Sequence, residues 1–139
     1  MGQVMFGNPT YAKVRVLLVE DNGFVRSLVN KMLHNVGVRE ISEATDGSAA
    51  LEKLSIAKPD VIICDIEMKP VGGIDFLKSL RDSPSADTPV IVLTSHADTE
   101  TVSQAMALGI DGFLAKPVSI GALKDRLDRA LKKRPPAQR

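Results

Sequence analysis

The sequence predicts an α/β domain, doubly wound, with an open and mostly parallel sheet covered by helices on both faces. Three observations predict it. Short apolar runs alternate with amphipathic stretches along the whole chain, the pattern of repeated βα units. Two of the runs, Val61-Ile62-Ile63-Cys64 and Val90-Ile91-Val92-Leu93, are apolar throughout, as parallel strands buried on both sides are. A chain of 139 residues has room for one substantial core but not for two.

The first strand is read at Val14-Arg15-Val16-Leu17-Leu18-Val19. Phe24, Val25, Leu28, Val29, Met32, Leu33 and Val36 follow at helical spacing and are expected on one inner face. Glu40-Ile41-Ser42-Glu43-Ala44 reads as a short second strand. Asp46 is placed to cap the next helix, whose inner face takes Ala49, Ala50 and Leu54. The third strand follows at Val61, and then a helix over about 74–81 with Phe76, Leu77 and Leu80 inward. Pro89 opens the fourth strand. Asp98 is read as the cap of a helix with Val102, Ala105 and Met106 inward, stopped by Gly109. Gly112-Phe113-Leu114-Ala115 is the last strand. Ser119 caps a final helix carrying Ile120, Leu123, Leu127 and Leu131. Residues 1–12 and 133–139 read as flexible tails around one domain at 13–132.

Charge and composition exclude several classes. With 18 basic and 17 acidic residues the net charge is +1, which argues against direct nucleic-acid binding and against a membrane surface as partner. No apolar run approaches the roughly 20 residues that span a bilayer, and the start carries no secretory pattern. Met1-Gly2 invites a test for myristoylation, but Phe6 stands where a small hydroxyl residue is required. The single cysteine, Cys64, cannot form an internal disulfide. A cytoplasmic location follows as the simplest expectation, with Cys64 a small core residue.

In open α/β sheets ligands bind beyond the carboxyl ends of the strands, so the residues at those ends matter. They are Glu20 and Asp21 after the first strand, Asp65 after the third, Thr94 and Ser95 after the fourth, and Lys116-Pro117 after the fifth. Singly, each could be a solvated loop residue. Together they bring three acids, a hydroxyl and an amine to one edge. Acids brought that close repel unless a cation sits among them, and hard carboxylate oxygens suit Mg²⁺. Lys116 is a compact charge suited to a phosphoryl oxygen.

Here the chain resembles the receiver domains of two-component response regulators, of the single-domain, chemotaxis type. The marks are Val19-Glu20-Asp21-Asn22, Cys64-Asp65-Ile66-Glu67-Met68, Gly72-Gly73, Leu93-Thr94-Ser95 and Lys116-Pro117, spread over about 13–132. The resemblance implies a flavodoxin-like (βα)5 three-layer sandwich with strand order 2-1-3-4-5. It implies that Asp65 is the phosphoacceptor and that Glu20, Asp21, Asp65 and the Glu67 carbonyl hold Mg²⁺. Thr94 and Lys116 would bind phosphoryl oxygens, and the Lys116-Pro117 bond would be cis, an isomer that proline tolerates. Thr94 and Phe113 would form the switch; a simply packed strand residue is the alternative for Phe113. The fourth helix, fifth strand and fifth helix would carry the output surface.

The implied donor is a sensor histidine kinase or phosphotransfer protein, with a separate downstream output protein. The domain would assist its own phosphorylation and dephosphorylation without being a conventional enzyme, as a monomer or a phosphorylation-dependent dimer. Glu67 and His96 would flank the site entrance and interact there to slow hydrolysis; solvent-facing side chains are the alternative. Two departures from the family pattern stand out. Lys69 occupies the place of the usual proline, with Pro70 one residue later, and Ser95 replaces a common alanine.

Three rival readings fit the residues less well. A haloacid-dehalogenase-type phosphatase expects an aspartate two residues after its nucleophile, where this chain has Glu67, and an earlier nucleophile strand. A flavodoxin-like cofactor binder needs a hydroxyl- and glycine-rich phosphate cradle after the first strand, where this chain is acidic. A receiver-like interaction module without phosphoryl turnover would not need the full set of Asp21, Asp65, Thr94 and Lys116.

Overall fold

Five parallel strands form one sheet in the order β2-β1-β3-β4-β5, in a computed structural model that describes residues 9–68, 71–96 and 100–136. They are β1 (Arg15–Val19), β2 (Glu40–Ala44), β3 (Val61–Asp65), β4 (Val90–Thr94) and β5 (Gly112–Ala115). The helices are α1 (Gly23–Val36), α2 (Gly47–Ala57), α3 (Gly73–Arg81), α4 (Glu100–Ala107) and α5 (Ile120–Lys133). This is the doubly wound, flavodoxin-like arrangement. Its order reverses at β1 and β3, which pair directly from Val16↔Val61 to Val19↔Cys64. The loops leaving those two strands therefore diverge to opposite sides and open a crevice.

The side-chain period of two sorts each strand into two cores. Val16, Leu18, Val61, Ile63, Ile91 and Leu93 pack with Val29 and Leu33 of α1 and Leu123 and Leu127 of α5. Leu17, Val19, Ile62, Cys64, Val90 and Val92 face Leu54 of α2, Phe76, Leu77 and Leu80 of α3, and Ala105 of α4. Each such side chain fully buried is worth roughly 1.5–3 kcal/mol. The two-sided burial explains why β3 and β4 show no polar alternation.

The caps follow local chemistry. Asp46 accepts the Ala49 N–H at 2.9 Å and Ser119 accepts the Ala122 N–H at 3.3 Å. Asn22, which periodicity alone does not single out, caps α1 by accepting the Val25 N–H at 3.0 Å. The cap expected at Asp98 lies outside the described residues, as do Lys69 and Pro70.

The inner faces need correction at four positions. Phe24 and Leu28 were expected inside α1 but are exposed, Phe24 by 78%. The buried stripe runs through Val29, Leu33 and Val36 with Val25 packed against it. Phe24 and Leu28 each stand one residue before a member of that stripe, about 100° around the helix. Met106 lies one place past the buried Ala105 and is likewise exposed, as is Ile120 in the first turn of α5. Spacing identified the helices; it left their angular phase too broad.

At the ends, ordered structure begins before residue 13. Pro9–Lys13 form a 3-10 turn, and Tyr11 is buried in the α1/α5 core, its hydroxyl donating to Asp128. Burial, and then Asp128, push the phenol up, so it stays protonated and keeps donating. α5 continues to Lys133. A second long-range tie is Arg81, whose guanidinium donates to the carbonyls of Ala86, Thr88, Leu108 and Gly109. It joins the end of α3 to the segment that leads into β5. Among the described residues, no helix is long and apolar enough to cross a membrane.

Candidate functional site

The carboxyl edge of the sheet collects the charged strand-end residues. Asp65 closes β3 and is buried; Glu20, just past β1, is completely buried; Asp21 beside it is exposed. One carboxylate oxygen from each of the three lies within 4.8 Å of the others. Lys116, just past β5, reaches across the sheet edge. Its Nζ is 2.9 Å from Glu20 Oε1 and 3.3 Å from Asp65 Oδ1. The structure thus brings Glu20, Asp21, Asp65 and Lys116 together from strands that are far apart in sequence.

The backbone around these groups is tightly held. Asp65 Oδ1 accepts the Glu67 N–H at 3.2 Å, and Glu20 Oε2 accepts the Asn22 N–H at 3.1 Å. The turn after Asp65 folds back so closely on α3 that a Cβ on Gly73 would lie 2.7 Å from the Asp65 carbonyl oxygen. Only glycine fits there without moving the end of β3. Thr94, fully buried at the end of β4, uses its Oγ1 to accept the His96 N–H at 3.0 Å. Its carbonyl accepts the Lys116 N–H at 2.9 Å, and the Lys116–Pro117 peptide bond is cis. Phe113 is half-buried on the side of the sheet that carries α4. At the rim, His96 Nδ1 stands 3.0 Å from Glu67 Oε2, both side chains exposed.

Electrostatics mark Glu20 as the strained member. Burial is the largest influence and pushes it from its ordinary 4.5 up to about 7. Lys116 and the Asn22 amide pull it down, and the Asp65 charge adds to the rise. For Lys116, burial opposes the charge, but hydrogen bonding and attraction from Glu20 and Asp65 outweigh it, so its value is raised. Burial, then Asp65 and Glu20, push the Cys64 thiol up, which keeps it protonated and unreactive in the core.

Three carboxylates face one amine, so the pocket carries excess negative charge. Glu20 Oε1 is buried and receives no well-aligned hydrogen bond, although the Lys116 ammonium is close. A buried anionic oxygen whose close counter-charge is one shared ammonium, beside two further hard donors, is the setting that a small divalent cation relieves. The residues fit such an ion.

Two contributors escaped the sequence reading. Arg26 in α1 donates from Nη1 to the Glu20 carbonyl at 2.8 Å and from Nε to Glu43 Oε1 at 3.2 Å. Nothing in the sequence pairs Arg26 with Glu43 on β2; only the register Leu18↔Glu43 brings them together. A family model for the response regulator receiver domain matches residues 16–128.

This chain belongs to that family. As a receiver domain of two-component signalling it is similar to chemotaxis protein CheY-3 of Vibrio cholerae, 32% identical over 117 residues that span 84% of this chain and 90% of the relative. The solved structure of V. cholerae chemotaxis protein CheY4 is 34% identical and superposes with a TM-score of 0.79, covering 85% of this chain and 98% of that one. The receiver domain of the sensor histidine kinase PA1611 from Pseudomonas aeruginosa PAO1 is 26% identical with a TM-score of 0.79, covering 86% and 98%. That structure has a magnesium ion coordinated in its active site cleft. Receiver domains are signalling switches whose partners are histidine kinases or phosphotransfer proteins.

The raised value of Glu20 predicts a pH dependence of folding. Folding favours its protonated form, so its stabilising contribution is complete below pH 4.5 and is lost as pH rises through about 7. Urea unfolding of the metal-free chain between pH 4.5 and 8 should show this slope, and Glu20→Gln should flatten it. A glutamine variant that keeps the wild-type slope would contradict the assignment.

Proposed function

We propose that this receiver domain is a phosphorylation-dependent switch in which Asp65 accepts a phosphoryl group from a histidine on a partner kinase or phosphotransfer protein. The observation that carries the reading is the Lys116 ammonium lying within 3.3 Å of Asp65 Oδ1 and 2.9 Å of Glu20, with Asp21 completing the acidic cluster. An Asp65 oxygen attacks phosphorus as the bond to the donor imidazole nitrogen breaks and its electron pair leaves with the imidazole. Nucleophile and incoming group are both anionic, so positioning and charge compensation carry the reaction.

Lys116 neutralises charge on the phosphoryl oxygens, and the Thr94 hydroxyl donates to another of them. Glu20, Asp21, Asp65 and the backbone carbonyl of Glu67 are the groups that would hold Mg²⁺. When bound, that ion supplies positive charge beside the reacting oxygens. Once Thr94 turns toward the phosphoryl group, its hydroxyl stops accepting from His96 and leaves space that Phe113 fills from its half-buried position. The change is read on the face formed by α4, β5 and α5, where a downstream protein binds. The product is a mixed anhydride, so the same pocket assists its hydrolysis. The domain acts as a monomer or as a dimer formed on phosphorylation.

Incubation with a small-molecule phosphodonor and Mg²⁺, followed by intact mass, should give a single phosphate adduct. The adduct should vanish in Asp65→Ala and on chelation of the metal; its persistence in Asp65→Ala would overturn the reading. The Glu67 and His96 side chains meet at the rim of the site, and we assign the pair a braking role in hydrolysis. Glu67→Ala and His96→Ala should each speed loss of the phosphate several-fold, by about 1 kcal/mol of barrier. Unchanged rates in both would remove the pair from the mechanism.

A further inference from the structure

We propose that Arg26 is a positioning residue for the acidic pair, gripping the peptide that joins Glu20 to Asp21 while Glu43 holds the guanidinium in place. The inference rests on the proposed function and extends it to a residue outside the acidic cluster and its lysine.

The geometry is specific. Arg26 Nη1 donates to the Glu20 carbonyl oxygen at 2.8 Å. That oxygen belongs to the peptide linking the two acids, so its direction fixes where the Asp21 backbone leaves the sheet. Asp21 is exposed, and the aim of its carboxylate is set by the backbone that carries it. The Glu20 N–H is already tied to the Ala44 carbonyl at 3.0 Å, and Glu20 Oε2 to the Asn22 N–H. Those contacts fix the residue on either side of its carbonyl; Arg26 acts on the Glu20–Asp21 peptide itself, through that carbonyl oxygen.

Arg26 is in turn held from β2. Its Nε donates to Glu43 Oε1 at 3.2 Å, while Glu43 Oε2 accepts from Asn30 Nδ2 at 2.7 Å. Both carboxylate oxygens of Glu43 are thus engaged by α1. The pairing has an electrostatic consequence as well. An uncompensated guanidinium behind the acidic pair would repel a divalent ion; the Glu43 charge cancels much of that repulsion and leaves the mechanical grip. A planar donor fork is suited to bridging a carbonyl and a carboxylate at once.

The test is Mg²⁺ titration of the full chain by calorimetry, beside amide hydrogen exchange in the metal-free state. Arg26→Gln should weaken Mg²⁺ binding about 10-fold, the scale seen when groups supporting a ligand are removed. It should also speed exchange at the Asp21 and Asn22 amides. Arg26→Lys, which keeps one donor for the carbonyl, should lose less affinity. Glu43→Ala should weaken binding in the same direction and add little to Arg26→Gln, because the two act as one unit. Saturating Mg²⁺ should restore the phosphorylation rate of Arg26→Gln. Unchanged Mg²⁺ affinity in both Arg26 variants, with only a lowered unfolding midpoint, would make Arg26 a plain brace and overturn the proposal alone. A wild-type chain that binds no Mg²⁺ would overturn both this proposal and the function it rests on.

Discussion

Lys116 reaches from the end of β5 to carboxylates at the ends of β1 and β3, and much of the molecule is arranged to keep that contact buried and in place. Burying Glu20 and Asp65 at a few ångströms from each other is costly in itself. The ammonium offsets part of the cost: burial still pushes Glu20 up against the pull of Lys116, and the two acids raise Lys116 against its own burial. Three acids against one amine leave an excess of negative charge, and under the proposed function that excess would be balanced by a divalent cation.

The fold delivers these groups by simple means. Parallel strands end on the same edge, and the reversal of order between β1 and β3 opens the crevice there. Apolar runs bury β1, β3 and β4 up to the polar residues at their carboxyl ends, so Glu20, Asp65 and Thr94 are carried on rigid elements. Gly73 lets the loop after Asp65 return to α3 at a distance no side chain would permit. Arg81 fixes the far end of α3 to the carbonyls before β4 and β5. Thr94, at the end of the strand that lies between β3 and β5, is buried and hydrogen-bonded.

All five strands and the gathering of Glu20, Asp21, Asp65 and Lys116 were legible in the sequence, because continuous apolar runs and the charged residues that end them are local signals. Asp46 and Ser119 were legible as caps for the same reason. Phe24, Leu28, Met106 and Ile120 were misplaced because helical spacing marks an arc wider than the sheet covers. Tyr11 was hidden since its burial depends on α5, more than a hundred residues away, with the partner Asp128 separated by 117 positions. Arg26 and Glu43 were invisible as a pair until strand register joined them. What escaped the sequence was the angular phase of the helices and contact between distant residues.

The most direct measurement of the central claim is the effect of Mg²⁺ on folding stability at pH 7, read by urea unfolding over a range of metal concentrations. An ion that belongs to the native pocket must stabilise it, by about 2.7 kcal/mol at a hundred times its dissociation constant. The account predicts a rise with the logarithm of Mg²⁺ concentration, abolished in Asp21→Asn, whose exposed side chain is not needed for packing. A midpoint that ignores Mg²⁺, or that moves equally in the wild type and in Asp21→Asn, would contradict it.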